Sequence, residues 1–264
     1  MIELNKIYNE DCLEGMKRIP DCSIDLTVTS PPYDDLRKYN GFSWDFESVS
    51  KELFRVTKDG GIVVWVVGDA TVKGSETGTS FKQALYFMEC GFNLHDTMIY
   101  QKENPLPRQR NRYEQTFEYM FVFSKGKPKT TNLIRVPCKG FGRSRIATAR
   151  DNNKDDLVIN KQQAVGKTKI KSNVWVINSS GYSTTKDKVA FQHPAIFPEK
   201  LVEDHILSWS NHMETVLDPF MGSGTTAKMA MLNGRNYVGF ELSDTYCDIA
   251  NERIANHLLE RQGD

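Results

Sequence analysis

An α/β fold with a mostly parallel sheet, covered by helices on both faces, is what this sequence of 264 residues predicts. Two observations carry the prediction. Short apolar segments rich in β-branched residues alternate with segments of helical spacing, the pattern of successive right-handed crossovers. Two of those apolar segments also run straight into proline- or glycine-bearing loops, which open α/β sheets present at the carboxyl ends of their strands.

Ile24–Thr29 is the first buried strand, stopped by Pro31 and Pro32, neither of which can donate to a sheet ladder. Residues 49–55 have helical spacing, residues 62–67 form the next strand and residues 81–90 the next helix. The aromatic-rich segment 118–123 reads as a strand, with 98–100 as its neighbour. A short strand at 215–217 ends at Asp218 and Pro219, and a helical segment follows at 227–232. The turn Asn233-Gly234 leads into a strand at 237–241, and a helix at 246–259 closes the pattern.

Lys plus Arg and Asp plus Glu both number 34, and a net charge of zero argues on its face against a nucleic-acid partner. The average conceals an asymmetry. Between residues 125 and 188 fifteen Lys and Arg face only four Asp, so the remainder of the chain is strongly acidic. This stretch has no long apolar run and reads as an insertion outside the main sheet, with Arg108, Arg110 and Arg112 just before it. The five cysteines are scattered without a C-x-x-C pair, which suggests neither a disulfide framework nor a zinc site. The N-terminus lacks a signal-peptide profile and the longest apolar run, 62–67, is too short to span a bilayer. A soluble, cytoplasmic protein with reduced thiols is the expectation.

Two motifs carry chemistry. Ser30, Pro31, Pro32 and Tyr33 follow the first strand, so the Ser30 hydroxyl and neighbouring carbonyls are held at its carboxyl end beside a flat aromatic face. Such a site suits an amino group on a nucleobase, whose lone pair is delocalised into the ring. Acceptors at Ser30 Oγ and the Pro31 carbonyl can hold its two N–H groups and free the lone pair to attack a methyl group, while Tyr33 stacks on the base. The second motif runs Asp218, Pro219, Phe220, Met221, Gly222, Ser223, Gly224, Thr225. Two glycines at a strand-to-helix turn let backbone approach a ligand, and the helix N-terminus offers N–H groups to a carboxylate. Glu241 closes the next strand, the place of the ribose-binding acid in dinucleotide folds. A phosphate loop is the competing reading, but Lys228 lies four residues past Gly224 and the G-x-x-x-x-G-K-[ST] spacing is absent.

Together these residues resemble the DNA amino-methyltransferases of the β group. In that family a [DNS]-P-P-[YFW] motif precedes the target-recognition region and an F-x-G-x-G motif lies near the C-terminus. The order is the same here. The resemblance implies a Rossmann-like, S-adenosylmethionine-dependent methyltransferase fold: a mixed seven-stranded sheet with helices on both faces, plus a basic target-recognition insertion. It divides the chain into a catalytic half at 1–124, target recognition at 125–189 and a cofactor-binding half at 190–264. It also implies direct transfer, without metal or covalent intermediate, to a base flipped out of double-stranded DNA.

Cofactor contacts are then expected from Asp218, Pro219, Phe220, Gly222, Ser223, Gly224, Thr225 and Glu241. Asp11 lies in a segment similar to the family's N-terminal G-D-x-L element, with Glu10 where glycine is usual, and would contact the adenine. His193 and Pro194 resemble the element leading into the helix that flanks the methionine moiety. Lys139, Arg143, Arg145, Asn178 and Tyr182 are candidate DNA contacts. A cognate restriction endonuclease and a homodimer are both compatible with this reading.

Serine at the first motif position is commonest in enzymes that make N4-methylcytosine, so cytosine N4 is favoured, with adenine N6 as the alternative. A catalytically inactive DNA-binding protein of the same fold is a second alternative, and RNA or protein substrates a third. The pair Pro137-Cys138 invites comparison with cytosine C5-methyltransferases, but those place their glycines before the cysteine, and here the glycines follow.

Overall fold

The computed structural model describes residues 2–32, 44–104, 111–145, 148–150, 157–159, 163–178 and 181–262. They fall into two compact units, 1–132 with 173–264, and 133–172.

The larger unit is built on one mixed sheet. Its strands are β1 (Lys6–Asn9), β2 (Ile24–Thr29), β3 (Thr57–Val67), β4 (Asn93–Lys102), β5 (Phe117–Ser124), β6 (Val174–Ile177), β7 (Thr215–Asp218) and β8 (Asn236–Glu241), in the spatial order β1-β8-β7-β2-β3-β5-β4-β6. All run parallel except β5, which pairs antiparallel with β3 and β4. The seven-stranded mixed sheet of the methyltransferase fold is therefore present, and β6 adds an eighth strand at its edge. That strand comes from the end of the basic stretch. Its Trp175 and Ile177 are buried while Val174 and Val176 are exposed, the alternation of a half-covered edge strand.

The helices are α1 (Cys12–Met16), α2 (Phe46–Val56), α3 (Thr79–Glu89), α4 (Glu199–Trp209), α5 (Thr225–Leu232) and α6 (Asp244–Gln262). Residues of β3 show why both sheet faces are covered. Val63, Trp65 and Val67 point into a cluster with Met16 of α1, Val49 and Leu53 of α2 and Phe87 of α3. The intervening Ile62, Val64 and Val66 are equally buried on the opposite face. Aromatic rings fill the first cluster, with Phe87 stacked on Phe123 at 4.6 Å and edge-on to Trp65 at 5.0 Å. The Trp65 indole N–H donates to Gln83 Oε1 at 2.9 Å, so this buried polar atom is satisfied.

Local chemistry sets the helix starts. Asp11 caps α1, accepting from Leu13 N at 2.8 Å, and Asp45 caps α2, accepting from Ser48 N at 3.1 Å. The N-cap of α3 is Gly78, which has no capping side chain, and Asp69, two residues past β3, supplies the missing acceptor to Ser80 N at 2.9 Å.

The smaller unit is one long β-hairpin. Arg135–Pro137 pairs with Thr168–Ile170, Ser144–Arg145 with Gln163–Ala164, and Thr148–Arg150 with Leu157–Ile159, each antiparallel and each nested within the last.

Phe87→Ala removes the ring at the centre of the aromatic cluster. It is expected to cost about 3–5 kcal/mol in urea denaturation, with no change in the fold of the surviving native state.

Candidate active site

Because β1, β8, β7 and β2 are parallel neighbours, their carboxyl ends converge along one edge of the sheet. They open into a cleft of about 1380 Å³. Ser30 and Pro32 reach it from β2, Asp218 to Ser223 from β7, Glu241 from β8 and Asp11 from just beyond β1. His193, Pro194 and Thr225 complete the set of sequence-predicted residues on its walls. Pro31 is buried and Gly224 lies behind the turn. Tyr33 lies outside the described residues.

The two motifs are joined directly. Thr29 Oγ1 donates to Asp218 Oδ1 at 2.6 Å, and Thr226 Oγ1 donates to the Val28 carbonyl at 3.2 Å. Asp218 is 2% exposed and also accepts from Phe220 N at 3.0 Å, so its carboxylate shapes the turn. Trp44, which the sequence reading passed over, adds a second join. Its indole N–H donates to the Pro32 carbonyl at 3.0 Å and its ring meets Phe220 edge-on at 4.8 Å. Ser30 lines the cleft, and its hydroxyl makes no hydrogen bond among the described residues.

The glycine turn is held on every side. Met221 N donates to the Phe240 carbonyl at 2.9 Å, Gly222 N to Glu241 Oε2 at 2.8 Å and Gly224 N to the Met221 carbonyl at 2.9 Å. Gly224 has φ +81°, and a Cβ there would lie 2.7 Å from that of Ala250 on α6. At Gly222 the neighbour is the His193 ring, 3.1 Å from where a Cβ would sit. His193 is itself set by Ala195 N, 3.1 Å from its Nδ1, and by Tyr246, whose ring lies edge-on at 4.3 Å.

Beneath the turn lies a buried network absent from the sequence reading. The Arg253 guanidinium of α6 donates to the Ser223 carbonyl at 2.6 Å, to Asp187 Oδ2 at 2.8 Å and to Glu199 Oε1 at 2.8 Å. Lys228 of α5 pairs with the same two carboxylates at 2.7 and 2.8 Å. This is where the phosphate-loop alternative fails, since Lys228 is 4% exposed and already committed. Burial pushes the Asp187 carboxyl up, and the hydrogen bonds from Lys228 and Arg253 outweigh it and leave it below the ordinary range. A signal was present in the sequence. Arg253 sits beside Ile249, Ala250 and Ile254 on the buried stripe of α6, where an arginine must find partners.

Burial sets the remaining ionisations. The Asp218 carboxyl is pushed up to about 6, and Glu241 is raised for the same reason. Cys12, on the cleft wall, is pushed up to about 12 and holds its proton at neutral pH, which removes it as a nucleophile. Cys138 of the Pro-Cys pair belongs to the smaller unit, and the lining residues all belong to the larger one.

The donor set fits one kind of ligand. Each Glu241 oxygen accepts one backbone N–H, from Gly222 and from Ser243 at 2.9 Å, leaving lone pairs for the hydroxyls of a ribose. Ser223 N–H donates to nothing among the described residues, and with the first turn of α5 it offers donors to a carboxylate. Phe220 and Pro219 supply apolar surface between.

Residues 24–252 match the N6_N4_Mtase family, described as DNA methylase. The chain belongs to this DNA methylase family. An orphan methyltransferase of Bacillus amyloliquefaciens, M.BamHII, is 59% identical over 246 residues, covering 92% of this chain and 93% of its own. The type II methyltransferase M.BglII of Bacillus subtilis is 29% identical, over 96% of this chain and 69% of its own. Among solved structures, the cytosine-N4-specific PvuII DNA methyltransferase shares the fold with a TM-score of 0.71, at 24% identity over 94% of this chain and 85% of its own. A DNA modification methylase of Thermus thermophilus, solved with S-adenosyl-L-methionine, has a TM-score of 0.64 at 25% identity, over 95% of this chain and 93% of its own.

Asp218 binds its proton more tightly in the folded methylase than in the unfolded chain. Its contribution to stability is full below its ordinary value of 3.8 and is lost as pH rises through about 6. In urea titrations the stability of wild type relative to Asp218→Asn should therefore improve by about 1–3 kcal/mol between pH 7.5 and pH 4.5. A pH-independent difference would contradict the burial of this carboxyl.

Proposed function

We propose that this DNA methylase transfers the methyl group of S-adenosylmethionine to the N4 amino nitrogen of a cytosine flipped out of double-stranded DNA at a specific sequence. The observation that carries the reading is the unengaged Ser30 hydroxyl, placed in the same cleft as Glu241 and the glycine turn.

When bound, S-adenosylmethionine would supply an electrophilic methyl group on a cationic sulfur, so that formation of the N–C bond breaks the C–S bond and S-adenosylhomocysteine leaves as a neutral thioether. Glu241 would accept from the ribose hydroxyls, and the N–H groups of Ser223 and the α5 N-terminus would hold the carboxylate. His193 packs on the turn and keeps it closed from one side. Asp11 takes the adenine end with the carboxylate oxygen not used in capping α1.

Ser30 Oγ and the Pro31 carbonyl accept the two N–H groups of the cytosine amine and draw its nitrogen towards a tetrahedral shape. Tyr33 stacks on the ring. The nitrogen becomes more acidic as it bonds the methyl carbon, and its surplus proton leaves through the Ser30 hydroxyl to water. A neutral serine suffices here because no proton has to be removed before attack. Serine rather than a carboxylate or amide at this position supports cytosine N4 over adenine N6.

Residues 1–124 and 190–264 form the two halves of the catalytic domain in this reading, and 125–189 carries target recognition. A basic two-stranded ribbon has the width that the major groove admits. Lys139 and Arg143, both exposed on the hairpin, neutralise phosphates, as does Arg145, whose side chain lies outside the described residues. Asn178 and Tyr182 are carried by the larger unit, with Tyr182 strongly exposed, and serve as base-edge contacts.

Incubation with unmethylated DNA and labelled S-adenosylmethionine, followed by mass spectrometry of the nucleosides, tests the reaction. N4-methylcytosine is expected; N6-methyladenine would overturn the choice of base, and no methylated nucleoside would overturn the enzyme. Ser30→Ala should retain cofactor affinity and lose about 100-fold or more in turnover. Reversing charge at Arg143 and Arg145 together should weaken DNA binding and flatten its log-log salt dependence by about 2, with cofactor affinity unchanged.

A further inference from the structure

We propose that Arg253 is a positioning residue for the cofactor: its guanidinium, buried behind the glycine turn, holds the Ser223 carbonyl so that the Ser223 and Thr225 N–H groups face the cleft. The proposal rests on the reading that this turn binds S-adenosylmethionine.

The geometry uses the whole guanidinium fork. Nε donates to Asp187 Oδ2 at 2.8 Å, and Nη2 donates to Glu199 Oε1 at 2.8 Å and Thr185 Oγ1 at 3.3 Å. Nη1 is the arm that reaches the turn, with the Ser223 carbonyl at 2.6 Å, Ser223 Oγ at 3.2 Å and Thr225 Oγ1 at 3.1 Å. Its side chain is 0% exposed, so these contacts are not diluted by water.

Orientation follows from peptide geometry. Ser223 is the residue between the two positive-φ glycines, where the backbone has least intrinsic preference. The Ser223 carbonyl and the Gly224 N–H share one peptide plane, held at one end by Arg253 Nη1 at 2.6 Å and at the other by the Met221 carbonyl at 2.9 Å; the Ser223 and Thr225 N–H groups belong to the planes on either side of it, and the Gly222 N–H is spent on Glu241. Arg253 supplies that fixed point from a helix that does not itself line the cleft at this position.

Charge pairing is what permits the device to be buried, offsetting the desolvation of its ions. Two cations, Arg253 and Lys228, share two carboxylates, Asp187 and Glu199, so the cluster is neutral. A planar fork can serve Asp187, Glu199 and Ser223 at once, whereas an ammonium cannot match the three directions. Lys228 shows the division of roles, since its ammonium donates to both carboxylates while its only bond to the turn among the described residues is the helical one from its backbone N–H to the Gly224 carbonyl.

The experiment is S-adenosylmethionine binding by isothermal titration to the full chain, alongside steady-state kinetics and urea denaturation, for three variants. Arg253→Lys keeps the charge and loses the fork; its dissociation constant should rise about tenfold or more. Its KM for the cofactor should rise in parallel, while kcat at saturating cofactor stays within about twofold of wild type. Glu199→Gln disturbs the same cluster without touching the turn and should keep its cofactor affinity within about threefold while losing stability. Should Arg253→Lys fail to fold, the charge-balanced double variant Arg253→Met/Glu199→Gln replaces it, with the same loss of affinity expected. Equal losses of affinity in Glu199→Gln and the Arg253 variants would reduce the cluster to a structural one and overturn the proposal. Wild-type affinity in the Arg253 variants would overturn it as well. A wild type that binds no S-adenosylmethionine would instead overturn the functional reading beneath it.

Discussion

The adjacency of two parallel strand ends lets Thr29 Oγ1 donate to Asp218 Oδ1 across 189 residues of sequence, and the bond from Thr226 Oγ1 to the Val28 carbonyl reinforces the join. The strands are β2 and β7, with Val216 opposite Leu26 and Leu217 opposite Thr27. Both therefore end on the same edge. Pro31 and Pro32 stop one strand and Pro219 ends the other, so neither loop can be absorbed into the ladder. The serine-proline motif and the glycine turn are thus brought to the wall of one cleft by strand order and direction.

Much of this was legible in the sequence because it is written in local patterns. The strand at Ile24–Thr29 is a run of β-branched residues before two prolines, and 215–217 is a strand before a proline and two glycines. Periodicity located the helices α2, α3, α5 and α6 to within a few residues. The eighth strand, β6, was hidden because Val174–Ile177 is only four residues long and lies at the end of a basic stretch whose composition reads as an insertion. Its partner β4 supplies the ladder, and Trp175 packs on His205 of α4 at 4.6 Å, contacts that no local pattern announces.

What remained illegible in the site is the set of contacts between distant segments. Trp44 looks like an ordinary core aromatic until the chain is folded, and the apolar stripe around Arg253 marks it for burial without naming what it meets. Only then does one indole N–H meet the Pro32 carbonyl and one guanidinium meet the Ser223 carbonyl. Both act on backbone carbonyls, which have no sequence signature. The zero net charge is the opposite case: the balance of 34 against 34 conceals a basic hairpin on one unit and an acidic remainder, and only position along the chain reveals it.

The most direct test of the two-motif cleft is a crystal structure of the protein with S-adenosylmethionine bound. The ribose is expected on Glu241, the carboxylate on Ser223 and Thr225, and the methyl group facing the Ser30 hydroxyl. A cofactor bound away from the glycine turn, or with its methyl group turned from Ser30, would contradict the claim that the two strand ends serve one reaction.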